Sequence, residues 1–509
     1  MSERALDLGP ARLSTRGGLY SADVERLYAP RSSEEAAAAF RLAAASSRTV
    51  ALVGAQRSFE GHFLPSGAGG VAISSERLKG PVQVLEPTSQ GALRVRAPAG
   101  TTFAELLAAV HAEGLEYMPF SCPTSSAISL GGALGTNTHG RTTDTYGGFF
   151  ADHVTAFRLV CPTGAIHDCS ADAPGELERR LFRYVPGALG ALGLVSEMEL
   201  ELCAVSPRAR VVMQVLSEHS GEPLAAVDSY LQHAEGNRSG EGFHWSEGVG
   251  LVCFGSPRSG RAVVVARRRS DDASAGVTLP LFDGKGTRNA LLQLLVHRFP
   301  APAQWLVPRL LRRGKSYTSD YYDWAFFQSS HDQAGEAFER AGAGVRALGR
   351  ALDVDPKLTL VHVGWVIPRA ALRAFMQLYF AMLEQPEHRA IGPHLELQDV
   401  LPLPRCRWPL NASYRHEQGS HVLTWSCRAL HGHPDLVERA TRFCRELGRR
   451  GQELGAVVQL IKQLHVDDDV LRSMHREAIG ELAALKREVD PDGLLRSRSL
   501  DRLGLGPRD

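Results

Sequence analysis

Lys462 closes the run "VVQLIK", 457–462, an apolar stretch in which a lone cation needs a reason. A fixed ammonium can stabilise negative charge that develops on a bound molecule as it takes up electrons. Its plain alternative is a strand-end lysine snorkelling to water. His139 stands inside "SLGGALGTNTHGRTTDTYGG", 129–148, with glycine at 131, 132, 135, 140, 147 and 148. So bare a backbone lets a flat ring or a pyrophosphate touch the main chain with no Cβ atoms between them. Asn137, Thr138 and His139 would supply polar edges to that surface. A glycine-rich hairpin is the alternative, and a poor one for an interior histidine. In "VGAQRSFEGH", 53–62, Gly54 turns the chain, and the amides that follow, with Arg57 and Ser58, can cradle phosphate. A tight turn with a surface arginine would look the same. In "VPGALGALGLVSE", 185–197, the glycines are spaced GxxGxxG, not GxGxxG. With no acidic residue about 20 positions on, a Rossmann nicotinamide enzyme is a poor fit.

These places need elements to hold them. Residues 1–20 read as a loose arm. "SSEEAAAAFRLAAASS" is a capped helix, and "TVALVG" a buried strand leading into the 53–62 loop. "GVAISS", "VQVLEP" and "ALRVRAP" are short strands. "TTFAELLAAVHAEG" opens with a capping box, Thr102 with Glu105, and stops at Gly114. After the glycines come a strand-turn-strand, "HVTAFRLVCPTGAIHDC", a helix, "GELERRLFRYVPG", and a strand, "GLVSEMELELCAV", that closes the unit near 205. Between 206 and 455, long strands ("TLVHVGWVIP", "HVLTWSC") alternate with long helices, which predicts an α+β sheet covered by helices. "AVVQLIKQLHV" then reads as one strand, and the tail from Asp467 as mostly helical.

The 509 residues are 44% hydrophobic and 22% charged, ordinary for a soluble protein with two or three cores. A net charge of +1 gives no reason to expect nucleic acid. Eight cysteines without a CxxC pair argue against a disulfide scaffold or a zinc ribbon and suit a reducing cytoplasm. The charged start lacks the apolar core of a signal peptide, and no run of about 18 apolar residues would cross a membrane. His421, Cys427, His431 and His433 show no recurring ligand spacing, so no metal is expected.

Together these motifs resemble the vanillyl-alcohol oxidase and p-cresol methylhydroxylase superfamily of FAD-linked oxidases, over nearly the whole chain. The nearest branches are the decaprenylphosphoryl-ribose 2'-oxidases and, further off, the aldonolactone and alditol oxidases. The branch's "GRSYGD" loop is matched by "QRSFEG", its "GGAIxxxxHGK" by "GGALGTNTHGR", and its "GGNGLTGII" by "GALGALGLV". Its "AKDSRTT" and "KVDP" are matched by "IKQLHVD" and "EVDP". Five pieces stand in the same order.

The resemblance implies an α+β, two-domain FAD-binding PCMH-type fold. The FAD domain would span 20–205, a cap built on an antiparallel sheet 206–455, and a completing C-terminal segment 456–509. It implies that FAD lies on Gly54, Ala55, Gln56, Arg57, Ser58 and Phe59, with Thr124 and with Ser129, Leu130, Gly131 and Gly132. Asn137, His139, Gly140 and Arg141 would pass the ring, joined by Gly193, Val195, Gln459 and Lys462. Lys462 and His139 would be catalytic. Phe59, His362, Gly364, Gln398, Asp399, Trp425 and Cys427 would face the substrate, with Trp365 a further candidate wall. In related oxidases a His in a "GHS" loop tethers the flavin. Arg57 stands there here, so the implied FAD is not covalent. "SCPT", 121–124, resembles the "CPT" of berberine-bridge enzymes, at a longer spacing, and keeps a Cys122 link as the alternative. The implied reaction oxidises a CH–OH group to a carbonyl by hydride transfer to flavin N5, with oxygen or another acceptor taking the electrons. An acid or amide at 398–399 would repel a phosphate, which favours a neutral hydroxylated substrate. Desaturation or oxidative cyclisation of a specialised metabolite, and a flavin-binding protein without turnover, are the rival readings. The basic amphipathic stretch 288–315 could rest on a membrane, or be a cap helix with a solvated face.

Overall fold

A computed structural model describes residues 7–46, 48–67, 69–88, 91–140, 148–206, 208–239, 247–257, 260–271, 277–278, 311–326, 347, 359–429 and 434–506. Arg141 and the stretch 288–310 lie outside them.

Three sheets carry the site. The first is parallel, with Val71–Ser74 between Arg26–Tyr28 and Val50–Val53. The helix Ser33–Ala45 packs an alanine face and Phe40 on it, and its first turn is capped by Ser32, which accepts from the Glu35 amide. Residues far along the chain complete this sheet: the Val50 amide donates to the Leu494 carbonyl, and the Arg496 amide to the Val50 carbonyl. The second sheet is antiparallel, in the order Ile166–Ser170, Val154–Val160, Leu194–Ala204, Leu93–Pro98, Gln83–Val84, with Tyr117–Pro119 also paired to the central strand. The capping box of Thr102 and Glu105 opens the helix Phe103–Ala112, and Gly114 ends it at φ +72°.

Among the described residues the third sheet has nine strands. Its central part runs Arg210–Ser220, Arg261–Ser270, Val249–Phe254, Leu395–Leu403, Ser420–Ala429, Thr359–Pro368, and Val457–Val458 closes one edge. Successive side chains on a strand point to opposite faces. Trp365 and Trp425 therefore fall on one face, against Phe375 and Phe443 of the helices Leu372–Leu383 and Pro434–Gln452. His362 pairs with Ser426, and Gly364 and Asp399 both pair with Thr424, which puts these residues on the opposite face.

Three local expectations change. The arm before residue 20 is a hairpin, Ala11–Ser14 with Ser21–Val24, whose alternating Leu13 and Val24 are buried. The glycine stretch forms a short helix, Leu130–Thr136, because Ser129 caps it by accepting from the Gly132 amide. The strand at 457 stops after Val458, and Lys462 stands in the turn that follows, with its amide on the Gln459 carbonyl at 3.2 Å.

Candidate active site

A cavity of about 230 Å³ lies where the first sheet, the glycine-rich segment and the third sheet meet. Its first wall is nearly bare backbone. A Cβ at Gly54 would come within 3.0 Å of the Ser129 hydroxyl and 3.6 Å of the Gly132 Cα, so the bare Gly54 lets the loop after Val53 abut the turn into the short helix without crowding the Ser129 cap. Gly135 also lines the cavity, and nothing stands within 4 Å of where its Cβ would be. The side of the helix facing the cavity thus has no side chains on its glycines. Gln56 in the loop takes the left-handed conformation, φ 52°, which turns the 55–58 backbone along the cavity.

The loop at 187–193 forms a third side. The amides of Gly187 and Leu189 donate to the carbonyls of Leu134 and Gly135, which holds Leu189 at φ 55° against the cavity. Gly193 takes φ +148°, and a Cβ there would strike the Val160 carbonyl at 2.5 Å. Only glycine fits this place.

The polar end is formed by Phe59, His362, Asp399, Thr424 and Lys462. The Phe59 ring stacks obliquely on His362 at 4.7 Å, and the Lys462 ammonium is 6.0 Å from the Phe59 centroid. Enclosed by protein except where it opens on the cavity, Lys462 has its pKa pushed down to about 8, first by burial and then by Arg16. Arg16 reaches this end from the hairpin, with its guanidinium carbon 5.9 Å from the Phe59 centroid. His362 donates or accepts through Nδ1 at the Ser426 hydroxyl, 2.6 Å away, and burial, then Lys462, holds its pKa well below the usual histidine range. His139 is lowered to about 4, by burial first and by Lys462 in addition. Gln463 ties the parts together: its side chain accepts from the His362 amide at 2.5 Å and donates to the Phe59 carbonyl at 3.3 Å.

The expected residues divide accordingly. Gly54, Ala55, Gln56, Arg57, Ser58, Phe59, Thr124, Ser129, Gly131, Gly132, His139, Gly140, Gly193, Val195, His362, Asp399 and Lys462 line one cavity. Gln459 stands behind His139 and bonds to it. Leu130 and Asn137 do not reach the cavity. Leu130 is packed in the core, and Asn137 holds the Ala151 amide at 3.1 Å in a left-handed helix cap. Gln398, Trp425 and Cys427 point to the helix-covered face. There Gln398 accepts from the Tyr379 hydroxyl at 2.6 Å and donates to the Gly255 carbonyl. Trp365 falls on that face too, so the tryptophans are core and not walls. Gly364 faces the cavity side but lies under Gln459. Cys122 is in the core with its thiol on the Pro119 carbonyl, and His421 bonds to the Tyr230 hydroxyl.

Arg16, Gln463 and Thr424 were not anticipated. The alternation of Leu13, Thr15, Tyr20, Ala22 and Val24 around "RGG" is a hairpin signal that would have moved Arg16 off a loose arm. Thr424 follows from register once Asp399 is placed on the cavity face.

The donor set fits FAD. Bare backbone accommodates a flat ring and a pyrophosphate, Arg57, Ser58 and Ser129 suit phosphate oxygens, and Lys462 suits the electron-accepting edge. Two buried polar atoms at this cavity, Thr138 Oγ1 and His362 Nε2, have no partner among the described residues. The comparisons agree. The FAD binding domain family matches residues 24–170. L-gulonolactone oxidase 3 of Arabidopsis thaliana is 27% identical over 173 residues, 34% of this chain and 28% of the relative. Probable L-gulonolactone oxidase 6 of the same plant is 30% identical over 192 residues, 37% of this chain and 29% of the relative. Both matches thus span less than a third of those oxidases. Decaprenylphosphoryl-beta-D-ribose oxidase of Mycolicibacterium smegmatis is 21% identical over 445 residues, 83% of each chain. Residues 24–170 thus carry an FAD binding domain, FAD is the cofactor, and the chain is similar to FAD-linked oxidases.

Proposed function

We propose that the protein oxidises a CH–OH group of a sugar-like or specialised-metabolite substrate to a carbonyl. The observation that carries this reading is Lys462: an enclosed ammonium, with no ion-pair partner among the described residues, that opens onto the same cavity as the bare backbone wall. FAD, when bound, supplies the acceptor for the two electrons and the hydrogen leaving the carbinol carbon. Lys462 holds positive charge where negative charge must accumulate, fixed in place before the reaction. Thr424, Asp399 and His362 offer hydroxyl, carboxylate and imidazole partners to substrate hydroxyls. Asp399 disfavours a phosphate at that wall, which supports a neutral hydroxylated substrate.

On this reading the FAD domain spans 20–205, the cap 206–455, and 456–509 completes the site. FAD is held without a covalent link, supported by Arg57 at the tethering position and by the Cys122 thiol facing the core. Oxygen or another acceptor takes the electrons. Eight free cysteines agree with a reducing cytoplasm. No described helix is long and apolar enough to cross a membrane.

The test is anaerobic mixing of the purified yellow protein with a panel of neutral polyols, sugar lactones and secondary alcohols. Bleaching of the flavin band with carbonyl product is expected. A new carbon–carbon double bond or ring in the product would replace this reading by desaturation or cyclisation. Bound flavin that no alcohol bleaches would remove it.

A further inference from the structure

Three residues distant in sequence share one chain of contacts at the seam between the glycine-rich segment and the third sheet. The Gln459 amide donates to the Gly364 carbonyl at 2.8 Å, just beyond the pairing of Val458 with Trp365. The Gln459 side chain then crosses to His139, Nε2 to Nε2, at 2.9 Å. On the other side of the ring, His139 Nδ1 lies 3.1 Å from the Gly140 carbonyl. A carbonyl only accepts, so Nδ1 carries the proton and Nε2 presents a lone pair. That lone pair needs a donor, and the Gln459 amide nitrogen is one. Rotating the amide would set its oxygen against the lone pair. With the ring kept neutral by burial and by Lys462, one arrangement satisfies both ends.

Gly364 explains how the glutamine fits. A Cβ there would fall 2.2 Å from Gln459 Oε1 and 2.9 Å from its Cδ. The bare Cα leaves the space that the amide occupies.

We propose that Gln459 is a positioning residue that fixes His139 as the Nδ1–H tautomer, with its ring oriented along the cofactor cavity, and that Gly364 is bare to admit it. Gly364 lies two residues from His362 on the same sheet face, so one side chain joins the substrate wall to the cofactor wall. His139 then exchanges no proton with substrate, because one nitrogen gives to the backbone and the other receives from an amide. Among the described residues the charged group acting on His139 is Lys462, whose positive charge opposes protonation of the ring, as burial does. The functional meaning rests on FAD lying in this cavity, but the tautomer does not.

The test is two-bond ¹⁵N–¹H correlation NMR of the FAD-loaded protein with labelled histidine, His139 being assigned by its loss in His139→Gln. The expected wild-type pattern is Nδ1–H with a bare Nε2, constant from about pH 5.5 to about pH 8. Gln459→Leu removes the donor and keeps the bulk. It should let the Nε2–H tautomer of His139 appear beside the Nδ1–H one and weaken FAD about three- to tenfold. Gln459→Glu places an acceptor at Nε2 and should hold the ring doubly protonated to higher pH. Gly364→Ala should reproduce the Gln459→Leu pattern, and the double variant should be no worse than either alone. An Nε2–H tautomer in the wild type overturns the proposal. So does a Gln459→Leu protein whose His139 signals are unchanged while its melting temperature falls, since that is packing alone. The wild-type measurement needs no substitution, so a variant that fails to fold leaves the test standing. Loss of the yellow colour would instead count against the cofactor's placement.

Discussion

Along 129–140 the cavity is bounded by main chain, and what matters there is the lack of a Cβ at Gly54, Gly132 and Gly135. Along the third sheet it is bounded by side chains, His362, Asp399 and Thr424, and what matters is which face each strand residue takes. The first wall tolerates little change in size. The second tolerates size but not a shift in register, since a slip of one residue exchanges Asp399 for Gln398 and Thr424 for Trp425.

The largest expected effect falls where the two walls meet. Lys462→Ala should slow flavin reduction about 10²–10³-fold while FAD stays bound, because the backbone wall is untouched. Reduction at wild-type speed under rapid mixing would take Lys462 out of the chemistry. The same residue predicts a pH dependence. Its folded pKa of about 8 lies below the usual lysine value of 10.5, so the reduction rate should fall as pH rises through about 8. In the ligand-free protein the unfolded chain binds more protons between those two values, and stability from this group should rise with pH there. A rate that climbs above pH 8 would contradict the assignment.

The backbone wall can be broken separately. A Cβ at Gly140 would meet the Cys122 carbonyl at 2.6 Å, and neither side is a flexible tip. Gly140→Ala should cost about 1–3 kcal/mol of stability, read by denaturant unfolding. The substrate wall is sharpened by a pair of changes on opposite faces. Gln398→Leu strands the Tyr379 hydroxyl and the Gly255 carbonyl, and should destabilise by about 1–3 kcal/mol with KM unchanged. Thr424→Val should raise KM and leave the melting temperature in place. If the two effects were exchanged, the register would be wrong. The smallest effect is the most discriminating. Gly135→Ala puts a methyl into open space, so the apoprotein should gain up to about 1 kcal/mol while FAD binds more weakly.

The contrast between the walls also explains what was legible in the sequence. Glycines and the residues between them signal a bare surface by type alone, so Gly54 to Phe59, Ser129 to Gly132, His139 and Gly193 could be listed together before any fold was known. Leu130 and Asn137 were carried along by adjacency, although a helix turns every third or fourth residue away from the surface it presents. The sheet wall depends on strand phase. "HLELQDV" and "VLTWSC" contain candidates on both faces, and bulky aromatics attracted the assignment although Trp365 and Trp425 serve the helix-covered core. The alternation in "VHVGWV" and "VLTWSC" places polar or small residues on one phase and tryptophans on the other, and that signal was available. Arg16 escaped because this second cation at the polar end comes from a hairpin none of whose described residues lines the cavity.

The sheet edge at Val50 has a consequence for how the protein acquires its cofactor. The loop that begins at Gly54 issues from a strand whose outer partner is Leu494–Arg496. During synthesis that partner is still inside the ribosome when residues 24–206 have emerged, and every residue between must be made before it appears. A contact of such long sequence separation forms late. The nascent chain therefore carries an open parallel edge beside the Gly54 loop until residues 494–496 have emerged. A chain cut before residue 494 should therefore leave the Val50 edge unpaired and the Gly54 loop unanchored, and should hold flavin poorly.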